Sequence, residues 1–584
     1  MGFFTADSPP IDYAVWRQGR RSDRLKPLVR HIAERGMGNP DVLFVAYAVK
    51  IVLFVLGALG FVLTTKGIGS LSNVSAWWSE PIVFTGSGQV VLWSLLFEVL
   101  GLGCGFGPLT GKIKPPMGSV LYWVRVGTIR LPPWPRWIPL TAGDRRTPFE
   151  VTLYAGLLVT TIYTLCSDGA NAIPVSDNSI GLIPVWRIVV IVALLAVVGL
   201  RDKLIFLACR GEVYGALTVT FLLPGLDMIV AAKLVMVAIW MGAATSKLNK
   251  HFPFVVATMM GNSPLVRWKW LRKSLYRRFP DDIRPSVVPR ILAHGGTVIE
   301  LGVPLVLLFS RGGPVTMIAA FVMVVFHLVI LTSIPLGVPL EWNVFMIFGI
   351  GTLFVAHANV GIGDLQHPWP VAALMAVIVT AIALGNLHPP SVSFLPGMRY
   401  YAGNWDISTW CLTESATTKI HDARIGLGLL QHKQFERMVG PENAEIALFR
   451  GLAFRAMYAH GRAVVTLLNR VIADGREADY VIIEGEMVAA YALGWSFGDG
   501  HLHNENLLRA LQSRCQFEPG EVRVIMIDGQ PIHRQRQQYR LVDAASGEFE
   551  RGTFEIRDLV IRQPWQDDVP VNVMMQASRQ PELH

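Results

Sequence analysis

Five ionisable side chains stand inside long apolar runs of this 584-residue chain: Lys50, Glu98, Lys233, Glu300 and His327. Four more, Lys247, His294, Glu341 and His357, stand nearer the ends of such runs. A charge placed in hydrocarbon is costly, so such a residue turns toward protein or water and often marks a site. Glu98, in Trp93-Ser94-Leu95-Leu96-Phe97-Glu98, reads in two ways. It is either a protonated carboxyl hydrogen-bonded to a neighbouring helix, or an acid, base or ion ligand. Lys233 and Lys247 are separated by about 14 residues, nearly four whole helical turns, so on one helix they share a face about 21 Å apart. Met236, Trp240 and Ala244 fall on or near that stripe. The stripe reads as the wall of a polar groove, the alternative being that Lys247 simply snorkels to the headgroups. His327, within Val325-Phe326-His327-Leu328, is either a satisfied core histidine or a proton-transfer partner. A His, a Glu and a Lys from three helices can make a proton-transfer site, because neighbours and desolvation shift each pKa. The expected roles are Lys247 as base, His327 positioning or protonating the substrate and Glu300 tuning both, with Glu98, Lys233 and Trp240 lining the substrate groove.

The elements that must hold these residues are membrane helices. The chain is 52% hydrophobic and 16% charged, against about a quarter charged in soluble domains. The deficit is uneven: residues 42–387 hold most of the apolar runs, and 411–584 read as a soluble domain. The apolar runs predict crossings at about 42–65, 89–106, 149–166, 183–200, 204–223, 227–245, 291–310, 315–335, 343–358 and 371–387, with 204–223 interrupted by Arg210 and Glu212. Lys and Arg concentrate before the first run, in the loop holding Arg125, Arg130, Arg136, Arg145 and Arg146, and above all in 246–290. The positive-inside rule puts these loops and both termini in the cytoplasm, in a plasma (inner) membrane. Trp123, Trp134 and Trp137 in the second of those loops suit an interfacial segment. The net charge of +9 therefore points to membrane lipid, and to a membrane-protein complex, rather than to nucleic acid.

The expected architecture is an all-α polytopic membrane domain of about ten transmembrane helices, followed by a cytoplasmic α+β domain. The segments are a basic N-terminal stretch at 1–41, the membrane domain at 42–388, an interfacial tether at 389–410 and the soluble domain at 411–584. Trp405 and Trp410 suit the headgroup layer. In the soluble domain, 444–471 and 505–515 predict helix, while 480–497, 521–528, 538–543 and 552–561 predict strand. His501 and His503 form an H-x-H that on a strand could bind metal; the other reading is a polar loop with Asn504 capping the next helix. The five cysteines are scattered without a C-x-x-C pair, so neither a zinc site nor a disulfide framework is expected. No Walker A, G-x-S-x-G or H-E-x-x-H occurs.

The segment Trp240-Met241-Gly242-Ala243-Ala244-Thr245-Ser246-Lys247-Leu248-Asn249 resembles a motif of the vitamin-K-dependent γ-carboxylase-like (HTTM) membrane family. The run from Gly296 through His327 is similar to that family's next helices. The resemblance implies a membrane enzyme that oxidises a quinol and uses a strong base to take a proton from carbon, with Lys247 at the base position and a quinone as cofactor or substrate. Over nearly its full length the chain is more similar to an actinobacterial multi-pass family of unknown function, through residues 246–264 and 398–405. The alternative to an enzyme is a lipid-handling or scaffold subunit that docks a partner through its cytoplasmic domain. Transport ranks third, since no paired repeat halves are visible.

Overall fold

The structure, a computed structural model, describes residues 6–64, 80–103, 119–167, 170–173, 180–263, 265–266, 268–332, 340–393, 402–472, 476–495 and 500–576. Residues 398–401 of the segment quoted above, and 394–401 of the expected tether, lie outside them.

After a short amphipathic helix α1 (Arg21–Arg35), the apolar runs fold as helices. These are α2 (Asp41–Thr64), α3 (Glu80–Val99), α4 (Pro148–Cys166), α5 (Val185–Arg201), α6 (Gly225–Ser246), α7 (Phe252–Asn262), α8 (Val287–Phe309), α9 (Gly313–Leu331), α10 (Leu340–Gly349) and α11 (Pro368–Leu387). Six of them, α2, α4, α6, α8, α9 and α11, are long and apolar enough to cross a membrane. Residues 204–223, needed for a count of ten, form short pieces: α-helix at Leu204–Leu207, a π turn at Gly211–Gly215 and α-helix at Ala216–Thr220. Arg210 breaks the run by adopting φ +55°, a left-handed conformation that ends a helix in an L-residue.

Burial sorts these helices into centre and rim. In α6, 78% of the apolar window is buried, against 17% in α2 and in α11, so α6 is the axis of the bundle. In α2 the buried residues Tyr47, Lys50, Phe54 and Ala58 lie one helical turn apart on one face. Val45, Val49, Val52 and Leu56 are exposed on the other, as a lipid-facing stripe requires. In α8 the buried set Ala293, Thr297, Glu300 and Pro304 keeps the same spacing, which aims Glu300 inward.

The C-terminal region is built on a six-stranded, wholly antiparallel sheet. Its strands are β1 (Ile407–Thr413), β2 (Tyr480–Glu484), β3 (Val522–Ile527), β4 (Arg536–Asp543), β5 (Gly547–Glu555) and β6 (Asn572–Gln576), in the order β6-β5-β4-β3-β1-β2. Sequence reading places residues 407–410 in a tether. They form instead the first half of β1, paired on both sides. Trp410 is fully buried there and Trp405 is 4% exposed, so neither lies in a headgroup layer. Helices α12 (Pro441–Met457) and α13 (Ala459–Val471) replace the single predicted helix, with a break at Tyr458. The expected strand at 480–497 stops after β2 and continues as α14 (Gly485–Leu493), where an Ala-rich run favours helix. Helix α15 (Glu505–Cys515) begins as predicted, with Asn504 Oδ1 accepting from Asn506 N at 3.1 Å.

The basic segments bind protein. Leu25, Leu28, Val29 and Ile32 of α1 are buried, and Arg21 and Arg24 both pair with Glu477. From the loop after α7, Arg284 donates to Ile561 O at 2.9 Å, while Arg30 pairs with Asp281 at 3.0 Å. Trp123, expected at the interface, is fully buried against Tyr154; Trp134 and Trp137 are exposed.

One acidic pair in this region sets a pH dependence. Arg455 lies between Glu484, at 2.5 Å, and Glu486, at 3.1 Å. Burial, reinforced by the charge of Glu484, pushes the Glu486 carboxyl up to about 7 against the pull of Arg455. The folded protein therefore holds this proton more tightly than the unfolded chain, where a glutamate titrates near ~4.3. Its contribution is most favourable below that value and is lost as pH rises through about 7. Thermal unfolding in detergent is expected to show Tm falling between about pH 5 and pH 8, with a shallower fall in Glu486→Gln. An identical slope in the variant would assign the dependence to other groups.

Candidate functional site

The central helix α6 carries Lys233, Trp240 and Lys247 along one stripe, with Asp227 off it at the start, and each meets a different partner. At its start, Asp227 accepts from Gln366 N at 2.7 Å and His367 N at 2.9 Å, tying down the beginning of α11. Lys233 donates to the carbonyls of His357 (2.7 Å) and Val360 (2.5 Å). These carbonyls follow a π-helical segment, Ile350–Ala356, that continues α10. An ammonium has three protons, so Lys233 spends two on backbone that leaves helix here and needs donors.

Two turns on, Trp240 Nε1 donates to His327 Nε2 at 2.9 Å. That nitrogen is therefore the lone-pair nitrogen, and the ring proton sits on Nδ1, donated to Asn343 Oδ1 at 2.8 Å. His327 is thus a neutral imidazole held at both nitrogens. At the C-cap of α6, Lys247 Nζ forms a short ion pair with Glu300 Oε2. Both side chains are nearly sealed, at 6% and 5% exposed. The rings of Phe252 and Phe326 lie 5.2 and 5.9 Å from Nζ, and the helix C-terminus adds its own favourable field for a cation.

Of the residues singled out from sequence, the fold thus joins Trp240 to His327 and Lys247 to Glu300, with Phe326 between the two pairs. Lys233 stands at the other end of the stripe. Glu98 lies on α3 against Gly103, whose carbonyl accepts from Lys50 Nζ at 2.6 Å. Lys50 also forms a short ion pair with Glu341, their side chains 3% and 1% exposed. Sequence reading missed Asn343 and the pairing of Lys50 with Glu341. A polar amide within the apolar run 340–349 was the available signal for the first.

Between these anchors lies a narrow apolar crevice with a cavity volume of about 30 Å³, lined by Val91 of α3, by Met228, Ala232 and Met236 of α6, and by residues of α10 and the π segment. At rest it is too narrow for an acyl chain, so a ligand enters it only if the helices part. The extra residue per turn of a π helix opens the helix surface and recurs at functional sites. Met236 packs so closely on Gly349 that a Cβ there would overlap its sulfur. Two threonines face the crevice, but Thr220 donates to Leu217 O at 2.7 Å and Thr352 to Phe348 O at 3.0 Å. No charged side chain lines it among the described residues.

In the C-terminal region, His501 Nδ1 meets Asp406 at 3.2 Å, and His503 Nδ1 meets Ser408 Oγ at 2.7 Å. The two imidazoles thus take separate partners, and among the described residues no three His, Cys, Asp or Glu side chains form a group fit to hold a metal ion.

No curated protein and no solved structure matches the chain. A family model matches it over residues 1–574, so this protein of buried ion pairs and lipid-facing helices belongs to the DUF3556 family of transmembrane proteins of unknown function.

Proposed function

We propose that this membrane protein admits an apolar lipid-type molecule, with an acyl or prenyl chain as in a quinone, at the narrow crevice between α3, α6 and the π segment, the helices parting to take it in. The observation that carries this reading is the lining: apolar side chains, with both threonine hydroxyls spent on their own helices. Such a wall rewards contact area and offers no donor to a polar ligand. In this reading both termini face the cytosol across a plasma membrane, supported by the concentration of Lys and Arg in residues 246–290. Six crossings or ten alike return the C-terminus to the side of the N-terminus.

The test is lipid mass spectrometry on full-length protein purified in mild detergent. Ala232→Val fills the crevice at a cost of about 1–3 kcal/mol, and is expected to lower co-purifying apolar lipid several-fold while the protein stays folded. Undiminished lipid in the folded variant would remove the crevice as the site.

A second reading rests on the Lys247–Glu300 pair beside His327: carboxylase-like proton abstraction from a quinone-type substrate by Lys247. The pair bears on it directly, because a lysine whose ammonium holds a carboxylate must first lose its proton to act as a base. The reading therefore requires the pair to open when substrate enters.

A further inference from the structure

A second cavity lies at the junction of the membrane domain and the C-terminal domain, and its chemistry is opposite to that of the crevice. Its cavity volume is about 390 Å³. One wall is the loop before α4, with Arg125, Gly127 and Arg145; the other comes from the C-terminal domain, with Arg424, Ser513 and Arg514. Tyr122 pins the walls together by donating to Tyr491 O and accepting from Leu427 N at 3.0 Å.

Four guanidinium groups thus face one space. Arg514 is 9% exposed; it donates to Asp144 O at 3.0 Å and lies 3.9 Å from that residue's carboxylate. Its Nε is buried and bonded to nothing. Arg125, Arg145 and Arg424 are exposed and have no acidic partner among the described residues. Arg424 is held at φ +48°, a conformation that costs an L-residue about 1–3 kcal/mol and recurs at ligand clamps. Like charges gathered around a cavity repel, and an anion that accepts several N–H donors relieves this; planar guanidinium groups match phosphate oxygens best. The same loop carries Trp134, Trp137 and Leu140 at 55%, 85% and 89% exposed. Large bare side chains of this kind seat a segment at headgroup depth.

We infer that this arginine cavity binds the phosphate of an anionic lipid headgroup, clamping the C-terminal domain to the membrane domain through one ligand. The inference does not depend on the crevice: it names a different ligand group at a different place.

The test uses the full-length protein in detergent, titrated with dihexanoyl phosphatidic acid, dihexanoyl phosphatidylcholine and inorganic phosphate. Binding is read by native mass spectrometry and by the shift in Tm. Phosphatidic acid is expected to bind and raise Tm, and phosphatidylcholine and free phosphate to do so only weakly. The triple variant Arg125→Gln/Arg145→Gln/Arg424→Gln changes surface side chains and is expected to fold, with affinity for phosphatidic acid weakened roughly tenfold or more. A variant of equal net charge, Arg437→Gln/Arg509→Gln/Arg557→Gln, is expected to bind as wild type. Equal weakening in the two variants would reduce the effect to general charge and overturn the site. Inorganic phosphate binding as tightly as phosphatidic acid would overturn the lipid assignment.

Discussion

Lys247→Met is expected to destabilise the protein by about 3–5 kcal/mol, and Lys247→Met/Glu300→Leu to recover most of that loss. The asymmetry follows from burial. Lys247 and Glu300 are nearly sealed, with aromatic rings around the ammonium, so removing one partner strands the other charge away from water. Removing both leaves apolar groups of similar volume in an apolar place. Thermal or denaturant unfolding in detergent measures both variants. A single variant with wild-type stability would mean that Glu300 takes up a proton at little cost and that the pair holds nothing together. The double variant also separates the two readings of function: if Lys247 is a base it is inactive although stable, and if the pair is structural it functions.

Asp202→Ala is expected to cost a comparable amount, about 3–5 kcal/mol. Asp202 accepts from Arg146 at 2.9 Å, with the pair 1% and 0% exposed. Its other oxygen accepts from Leu131 N and Leu204 N, both at 3.2 Å. Losing it leaves a buried guanidinium, stacked 4.2 Å from the Trp123 ring, and two backbone N–H groups without acceptors. Because the loop it anchors also carries Arg125 and Arg145, the substitution is expected to loosen the arginine cavity. Hydrogen exchange across residues 124–147 should rise in Asp202→Ala and much less in Asp202→Asn, which keeps an acceptor oxygen. Unchanged exchange in Asp202→Ala would show that the loop is held by other contacts.

Arg146 shows where sequence reading stops. Next to Arg145, and in a loop rich in basic residues, it counts toward topology like its neighbours. In the fold Arg145 is exposed at the cavity while Arg146 is a buried core residue. The choice depends on Asp202, 56 residues later, and a partner at that distance leaves no local signature. The same holds for Lys50. Its depth in an apolar run was legible, but its partner Glu341 lies 291 residues on, brought near only by the packing of α10 against α2.

What this sequence determined by itself is the placement of its apolar runs and the inward direction of their ionisable residues. Both follow from local chemistry: hydrocarbon selects helices whose backbone is satisfied within the segment, and the 3.6-residue period puts Glu300 on the buried face of α8 and His327 on that of α9. The tertiary structure decided which of these groups meet. It closed Lys247 on Glu300, held His327 between Trp240 and Asn343 with its ring proton on the Asn343 side, and folded the run at 204–223 into short buried pieces. It also gathered arginines from residues 125–145 and 424–514 around one cavity. Each of these depends on distances between segments far apart in the chain, which are set when helices and sheet pack as a whole and are encoded in no single stretch.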